Sequence, residues 1–318
     1  MTERMIATNG VTLRVVDEGE GFPVVLCHGF PELAYSWRHQ IPALTDAGYR
    51  VLAPDQRGYG GSSRPEAVED YDMAHLTGDL IGLVDDIGAE KAVFVGHDWG
   101  SMVVWQLALA APQRVAGVVG MSVPFIPRGA MPPIQMMRQL FGNIFFYMVY
   151  FQDPGVADAD LGADPAETMR RLLAGVSGDA DPAAAAAMFT PYDGRGMVER
   201  LPEAKALPAW LSQAELDHYS GEFARTGFTG GINWYRNLDR NWTLTAHLAD
   251  AKVKPPALFI GGTADPVLTM TPPSGMDGWL EDPRGCLLID GAGHWVQQER
   301  PAEVNDALLH FLAEVALT

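Results

Sequence analysis

Short apolar runs alternate along the chain with longer stretches in which apolar residues recur at helical spacing. The runs are rich in Val, Ile and Leu, as strands buried on both faces are, and they occupy residues 12–17, 23–27, 50–53, 91–95, 115–122, 257–260 and 285–289. The helical stretches are residues 37–47, 74–87, 101–111 and 301–315. Strands that alternate with helices predict an α/β fold with a largely parallel sheet.

The alternation stops after Val123, and residues from about 128 to 250 show helical patterns and breakers without a convincing strand. Strand-like pattern resumes at Ala257, after two consecutive prolines. We therefore predict a core made of residues 1–127 and 251–318, with a helical cap at residues 128–250 inserted over the sheet. Within the cap, the alanine-rich run that follows Asp181 predicts the start of a surface helix.

Composition and net charge exclude several classes of function. The net charge of −18 argues against a nucleic-acid partner, because nucleic-acid-binding surfaces usually show a basic patch. No apolar run approaches the roughly 20 residues that span a bilayer, and the first residues lack the pattern of a signal peptide. Cys27 and Cys286 are too few for a disulfide framework and are predicted to be small core residues. These features predict a cytoplasmic enzyme without a membrane span.

The segment Gly96-His97-Asp98-Trp99-Gly100 lies between a predicted strand and a predicted helix. In such a strand–turn–helix the central residue sits on a strained turn and points its side chain into the site, while the flanking glycines allow close approach. Hydrolases built this way usually carry serine at the centre. A carboxylate attacks carbon instead and leaves an alkyl ester on the protein. Asp98 therefore predicts displacement at a saturated carbon, such as epoxide opening or halide loss, although an aspartate can also simply cap a helix.

An ester on Asp98 must be hydrolysed by water, which requires a general base that an acid holds in place. His294 lies in a glycine-containing loop after the last predicted strand, so it can reach over the sheet edge. Asp265 follows the strand at 257–260 and gives the chain order nucleophile, acid, histidine. Asp290 is the weaker candidate for the acid, and an Asp-Pro turn is the alternative role for Asp265.

Ester hydrolysis also needs backbone N–H donors aimed at the ester oxygen. The strand at 23–27 ends in His28-Gly29-Phe30-Pro31. We predict that the N–H groups of Phe30 and Trp99 are the two donors. The alternative for the first segment is a turn that only ends the strand.

Together these residues resemble the α/β-hydrolase-fold epoxide hydrolases of the soluble type over nearly the whole chain. The matching core segments are His28-Gly-Phe-Pro-Glu-Leu-Ala-Tyr-Ser-Trp37-Arg38, Asp55-Gln-Arg-Gly-Tyr-Gly60, Gly96-His-Asp-Trp-Gly100 and Gly293-His294-Trp295. The resemblance implies a mostly parallel eight-stranded sheet flanked by helices, with an inserted helical cap. It also implies that the phosphatase domain of the mammalian soluble enzymes is missing.

Two cap segments resemble the tyrosine segments of that family, namely Tyr147-Met-Val-Tyr150-Phe-Gln and Asn233-Trp-Tyr235-Arg-Asn237. In the family, one tyrosine from each segment hydrogen-bonds the epoxide oxygen and stabilises the leaving alkoxide. The matching residues are Tyr147 and Tyr235, and Tyr150 is the alternative to Tyr147 because residues three apart share a helix face. A phenol suits this role because it stays neutral at working pH and can donate a hydrogen bond.

The resemblance implies an enzyme that converts an epoxide and water to a vicinal diol through a hydroxyalkyl ester on Asp98, with no cofactor and no metal. It implies an aryl, alkyl or fatty-acid epoxide as substrate. We expect Pro31, Trp37 and Tyr150 to line a lipophilic pocket. The family includes monomers and dimers, so a monomer or a homodimer is expected.

Two other functions stay open at this point. Haloalkane dehalogenases share the fold and the aspartate nucleophile, but they usually have Asn at the position of Phe30, where its side chain helps to hold halide. Phe30 and the two tyrosine segments favour epoxide chemistry. A hydrolase-like binding protein without turnover is the second alternative, although such proteins often lose a catalytic residue and this chain keeps every expected one.

Overall fold

The computed structural model describes residues 2–181 and 189–315, which are built around one eight-stranded sheet. The strands are β1 (Glu3–Thr8), β2 (Val11–Glu18), β3 (Phe22–Cys27), β4 (Tyr49–Pro54), β5 (Ala92–His97), β6 (Val115–Met121), β7 (Val253–Gly262) and β8 (Leu280–Ile289). They lie in the order β1-β2-β4-β3-β5-β6-β7-β8. β2 is antiparallel to both of its neighbours, and every other neighbouring pair is parallel. The predicted mostly parallel sheet is confirmed.

The described helices fall into two groups. Those that alternate with the strands are Gln40–Asp46, Met73–Asp86, Trp99–Ala110, Pro266–Met270, Val296–Glu299 and Pro301–Val315, with 3-10 turns at Ala34–Trp37, Val68–Tyr71, Pro112–Arg114 and Pro273–Met276. Those between β6 and β7 are Pro133–Phe141, Tyr147–Tyr150, Val156–Ala163, Pro165–Gly175, Met197–Arg200, Gln213–Thr226, Thr229–Arg236 and Leu238–Leu244, followed by a 3-10 turn at Ala246–Leu248.

The described elements between β6 and β7 are helices and one 3-10 turn joined by loops, together with an isolated bridge between Ile144 and Pro191. The surface helix predicted after Asp181 lies outside the described residues.

Two hydrophobic clusters lie on opposite faces of the sheet. Successive residues of β3 alternate between them, because side chains along a strand point to opposite faces: Val25 and Cys27 belong to the first cluster, Val24 and Leu26 to the second. The helices Met73–Asp86 and Trp99–Ala110 pack on the first face, and Gln40–Asp46 and Pro301–Val315 pack on the second. The first cluster continues into the residues between β6 and β7, so those helices lie on the core without a polar gap.

Two elements differ from the predictions. β1 is missing from the predicted strands because only Ile6 and Thr8 of its six residues are buried, which leaves a weak apolar pattern. The predicted helix at 37–47 is a 3-10 turn followed by a helix that starts at Gln40. Pro42 has no N–H to bond back to residue 38, so it fits only the first turn of a helix.

The two cysteines have different environments. Cys27 is buried, as predicted, whereas Cys286 is exposed, so the prediction that it is a core residue is wrong. The physical reason is that β8 is an edge strand, and its residues 283–288 are all exposed. Neither cysteine forms a disulfide.

We expect Gly100→Ala to lower the free energy of unfolding by about 1–3 kcal/mol, the usual cost of overpacking. A Cβ at Gly100 would overlap the carbonyl groups of Cys27 and His28, so the end of β3 would have to shift. Gly162→Ala is the matched control, because Gly162 is exposed in a helix with open space around it and alanine favours helix there. Urea unfolding measures both variants, and equal midpoints for the two would contradict the prediction.

Candidate active site

Asp98 occupies a sharp turn between β5 and the helix Trp99–Ala110, as the sequence predicts. Its backbone has φ 51° and ψ −118°, a sparsely populated conformation for a residue with a side chain. The turn is held on both sides. The Asp98 N–H donates to the carbonyl of Met121 on β6 at 3.1 Å, and Gly96 lies so close to Gly100 that a Cβ would overlap its backbone. The carboxylate is thereby raised out of the sheet at the carboxyl end of β5.

The structure brings the three predicted polar residues together. His294 Nε2 lies 3.5 Å from Asp98 Oδ2, and His294 Nδ1 lies 3.0 Å from Asp265 Oδ2. The other oxygen of Asp265 accepts from the N–H of Val267 at 2.9 Å, which fixes the orientation of the carboxylate. Asp290, the alternative acid, is exposed and accepts from the hydroxyl of Thr263. The imidazole is therefore paired with Asp265 on one side and Asp98 on the other.

The two carboxylates determine the charge of His294. Burial lowers the pKa of the imidazole, but Asp265 and Asp98 outweigh burial and hold that pKa well above its usual value. Burial raises the pKa of Asp98, but the hydrogen bond and charge of His294 outweigh it, so the pKa of Asp98 lies below its usual value. At neutral pH the site thus pairs an ionised Asp98 with a protonated His294.

Backbone donors surround the nucleophile. The N–H of Phe30 donates to Asp98 Oδ1 at 2.8 Å. Trp99 is the first residue of its helix, where N–H groups have no partner within the helix. Pro31 follows Phe30 through a cis peptide bond and is buried. These positions agree with an oxyanion-binding role for the N–H groups of Phe30 and Trp99.

Tyr235 and Tyr147 lie next to the nucleophile turn. The ring of Tyr235 is 5.0 Å from the ring of Trp99 and 5.4 Å from that of Phe30, and the ring of Tyr147 is 5.8 Å from that of Tyr235. For both phenols, burial raises the pKa and the charge of Asp98 raises it further. Both hydroxyls are therefore neutral donors across the working pH range.

Tyr150 points elsewhere. Its hydroxyl donates to Asp160 Oδ2 at 3.2 Å, and the same oxygen accepts from the N–H of Met197 at 2.6 Å. Its ring packs on Phe145 with 5.2 Å between centroids. Of the two candidates for the first cap tyrosine, the geometry favours Tyr147.

Trp37 does not line a pocket, and that part of the prediction is wrong. Its side chain has 0 % exposure, so no cavity that admits a water molecule touches it. It belongs to the hydrophobic cluster on the face of the sheet covered by Gln40–Asp46, whereas Trp99 and Tyr235 belong to the other. The 3-10 turn that carries Trp37 points it into the core.

A buried acid–histidine pair beneath the site was missed by sequence reasoning. Glu32 Oε2 lies 2.6 Å from His97 Nδ1, and His97 Nε2 lies 2.7 Å from the carbonyl oxygen of His294. The hydroxyl of Ser122 donates to the same carbonyl at 2.7 Å. Glu32 also accepts from the N–H of Gly29 at 3.2 Å, so it supports both the loop of Phe30 and the loop of His294. In the sequence, the one sign of this pair is that Glu32 is a single carboxylate within an otherwise apolar segment.

Known proteins are similar to this chain in sequence and in fold. The family model for the alpha/beta hydrolase fold matches residues 23–301. Epoxide hydrolase A of Mycobacterium tuberculosis is 62 % identical over 318 residues, which cover 99 % of this chain and 98 % of that protein. Bifunctional epoxide hydrolase 2 of Mus musculus is 38 % identical over 95 % of this chain and 54 % of the mouse protein. The crystal structure of epoxide hydrolase A from Mycobacterium thermoresistibile superposes with a TM-score of 0.94 at 60 % identity, covering 98 % of both chains.

The chain belongs to the epoxide hydrolases of the α/β-hydrolase fold. As an epoxide hydrolase, it converts an epoxide and water to a vicinal diol through a covalent ester on its aspartate nucleophile. The dehalogenase and the non-catalytic alternatives are thereby set aside. In the described parts of this epoxide hydrolase, no helix has both the length and the apolar character needed to cross a membrane.

We expect Asp98→Ala to lower the pKa of His294, because the substitution removes one of the two carboxylates that stabilise the imidazolium while burial still opposes it. NMR titration of the imidazole measures the change. Asp290→Ala is the control, since it removes a nearby carboxylate that contacts Thr263 rather than His294. A His294 pKa that is the same in Asp98→Ala as in the unsubstituted enzyme would contradict this account.

Proposed function

We propose that Asp98 attacks an epoxide carbon of a lipophilic substrate while Tyr147 and Tyr235 donate hydrogen bonds to the epoxide oxygen. The C–O bond breaks, its electron pair stays on the oxygen, and the alkoxide takes a proton from one of the two tyrosine hydroxyls, which solvent water restores, so that Asp98 becomes a hydroxyalkyl ester. The observation that carries this proposal is the position of the Tyr235 ring against both Trp99, which follows Asp98 in the chain, and Phe30, whose N–H donates to Asp98. A nucleophile and two neutral donors then converge on one small volume.

The second step is hydrolysis of the ester. Esterification removes the negative charge of Asp98, which is one of the two charges that raise the pKa of His294. The imidazole can then lose its proton and act as a base, held by Asp265. His294 takes a proton from water, the water oxygen attacks the ester carbonyl, and the N–H groups of Phe30 and Trp99 stabilise the oxyanion. The bond between the Asp98 carbonyl carbon and the diol oxygen breaks, and the diol oxygen takes the proton from His294. The Asp98 carboxyl then passes its own proton to His294, which restores the ion pair.

Residues 128–250 act as a cap domain, and residues 1–127 and 251–318 act as the core domain. The proposal is supported by the separation of roles, since Asp98, Asp265 and His294 follow core strands whereas Tyr147 and Tyr235 lie on helices between β6 and β7.

The substrate is a lipophilic epoxide. Aromatic rings surround the nucleophile, with Phe151 lying 5.0 Å from Tyr235 and 5.7 Å from Phe30. Pro31 belongs to the same wall through its bond to Phe30. The enzyme acts in the cytoplasm, which agrees with two cysteines that form no disulfide, one of them exposed.

We expect Asp98→Ala to abolish diol formation from styrene oxide, because no other group can form the ester. We expect His294→Gln to form the ester and fail to hydrolyse it. Mass spectrometry of the intact protein then shows an increment equal to the mass of the substrate. Diol production by Asp98→Ala, or His294→Gln without an adduct, would overturn the assigned roles.

We expect Tyr147→Phe and Tyr235→Phe each to slow ester formation by about 100-fold, the usual cost of removing one donor to a developing oxyanion. Single-turnover kinetics measure this step. Tyr150→Phe separates the two candidates for the first tyrosine, and we expect a much smaller loss because its hydroxyl is engaged by Asp160. Tyr192→Phe, on an exposed cap tyrosine, controls for loss of a hydroxyl elsewhere. A larger loss in Tyr150→Phe than in Tyr147→Phe would reverse the assignment.

A further inference from the structure

Glu299 is a buried acid that the proposed mechanism does not use. It ends the short helix Val296–Glu299, and 7 % of its surface is exposed. Its Oε2 accepts from the N–H groups of Gly293 and Gly178, each at 2.9 Å, and its Oε1 accepts from the N–H of Trp295 at 3.1 Å. One carboxylate thus binds three peptide groups from two separate parts of the chain.

Two of those peptide groups lie on either side of His294. The N–H of His294 itself donates to the carbonyl of Val176, in the segment between β6 and β7, at 2.9 Å. Three consecutive N–H groups, from Gly293 to Trp295, are therefore all bonded. Because the direction of a side chain follows the orientation of its own backbone, these bonds fix where the imidazole points.

The segment Val176-Ser177-Gly178 lies directly against the loop that carries His294. A Cβ on Gly178 would overlap the backbone of Gly291 and Gly293, and a Cβ on Gly293 would overlap the N–H of Gly178. The indole N–H of Trp295 adds a bond to the carbonyl of Leu173 at 2.9 Å. The two stretches of backbone are in direct contact here, and the Glu299 carboxylate accepts hydrogen bonds from both of them.

The bridge needs an ionised carboxylate. Burial raises the pKa of Glu299, and the N–H groups of Gly293, Gly178 and Trp295 oppose that rise. Only the ionised form accepts freely at both oxygens, and an amide in its place would turn one acceptor into a donor that faces N–H groups.

We propose that Glu299 is a positioning residue for the hydrolysis of the Asp98 ester: by binding the peptide groups on both sides of His294 and that of Gly178, it holds the imidazole where it activates water and ties this placement to the cap. The proposal rests on the role of His294 proposed above. Ester formation depends on Asp98, Tyr147 and Tyr235, which Glu299 does not contact.

Because Glu299 is proposed to act on ester hydrolysis and not on ester formation, its substitution should change the kinetic constants in a distinctive way. If only hydrolysis is slowed, kcat falls and KM falls with it, while kcat/KM, which reports ester formation, is retained. Loss of folded enzyme would instead lower kcat at unchanged KM. A general disturbance of the cap tyrosines would lower kcat/KM.

The test is Glu299→Gln with styrene oxide. We expect kcat to fall about 10- to 100-fold, the scale of a small misplacement of a reacting group, with kcat/KM within about twofold of the unsubstituted enzyme. Mass spectrometry during turnover should show the Asp98 ester accumulating. Glu299→Asp keeps the charge and should recover part of the loss. It also supplies the measurement if Glu299→Gln does not fold.

Glu303→Gln is the matched control, because it makes the same chemical change at an exposed position four residues further on, and we expect unchanged kinetics. Gly178→Ala tests the cap side of the bridge and should give the same signature as Glu299→Gln. Unchanged kcat in Glu299→Gln, or a fall in kcat without ester accumulation, overturns the positioning role. If His294→Gln still traps the ester, that result leaves the proposed function intact; if it does not, the function itself fails.

Discussion

The active site depends on how closely three pieces of backbone approach one another at the Asp98 turn. β5, the helix behind it and the end of β3 meet where Gly96, Gly100 and Gly29 leave no space for a Cβ. This proximity keeps Asp98 at a positive φ that an isolated turn would abandon, and it brings the N–H of Phe30 within 2.8 Å of the carboxylate. The conformational strain at Asp98 costs little free energy compared with what hydrophobic burial on both faces of the sheet contributes. That burial keeps Asp98 in its strained conformation. The nucleophile is therefore positioned before any substrate arrives.

Each of the buried carboxylates beneath the site is paired with a hydrogen-bond donor whose position is fixed by the fold. Asp265 pairs with His294 and accepts from the N–H of Val267. Glu32 pairs with His97. Asp79 forms an ion pair with Arg57 at 2.6 Å, and both of these side chains are almost fully buried. Such pairs contribute little net stability after desolvation, but they define orientation. In the proposed mechanism, Asp98 and His294 are the pair whose charge changes during the reaction.

Most of the fold and the core of the site could be predicted from the sequence, because their signals are local. Asp98, Asp265 and His294 each follow a predicted strand, and Tyr147 and Tyr235 lie in distinctive segments. The rest depends on contacts between distant residues. Glu32 acquires its role from His97, 65 residues away, and Glu299 from Gly178, 121 residues away. The face of the sheet that receives Trp37 is decided by a 3-10 turn, which periodicity does not distinguish from a helix. β1 was missed because an edge strand with two buried residues carries little apolar pattern.

The edge strand β8 also makes this enzyme easy to modify at a chosen point. The sequence contains two cysteines, and only Cys286 is exposed, since Cys27 is enclosed in the core. A thiol reagent therefore attaches at a single position, on a strand that carries none of the proposed catalytic residues. Partial burial raises the pKa of the Cys286 thiol, so coupling is faster in mildly alkaline buffer, where more thiolate forms. The protein thus offers a natural anchor for a fluorophore or a solid support without any engineered residue.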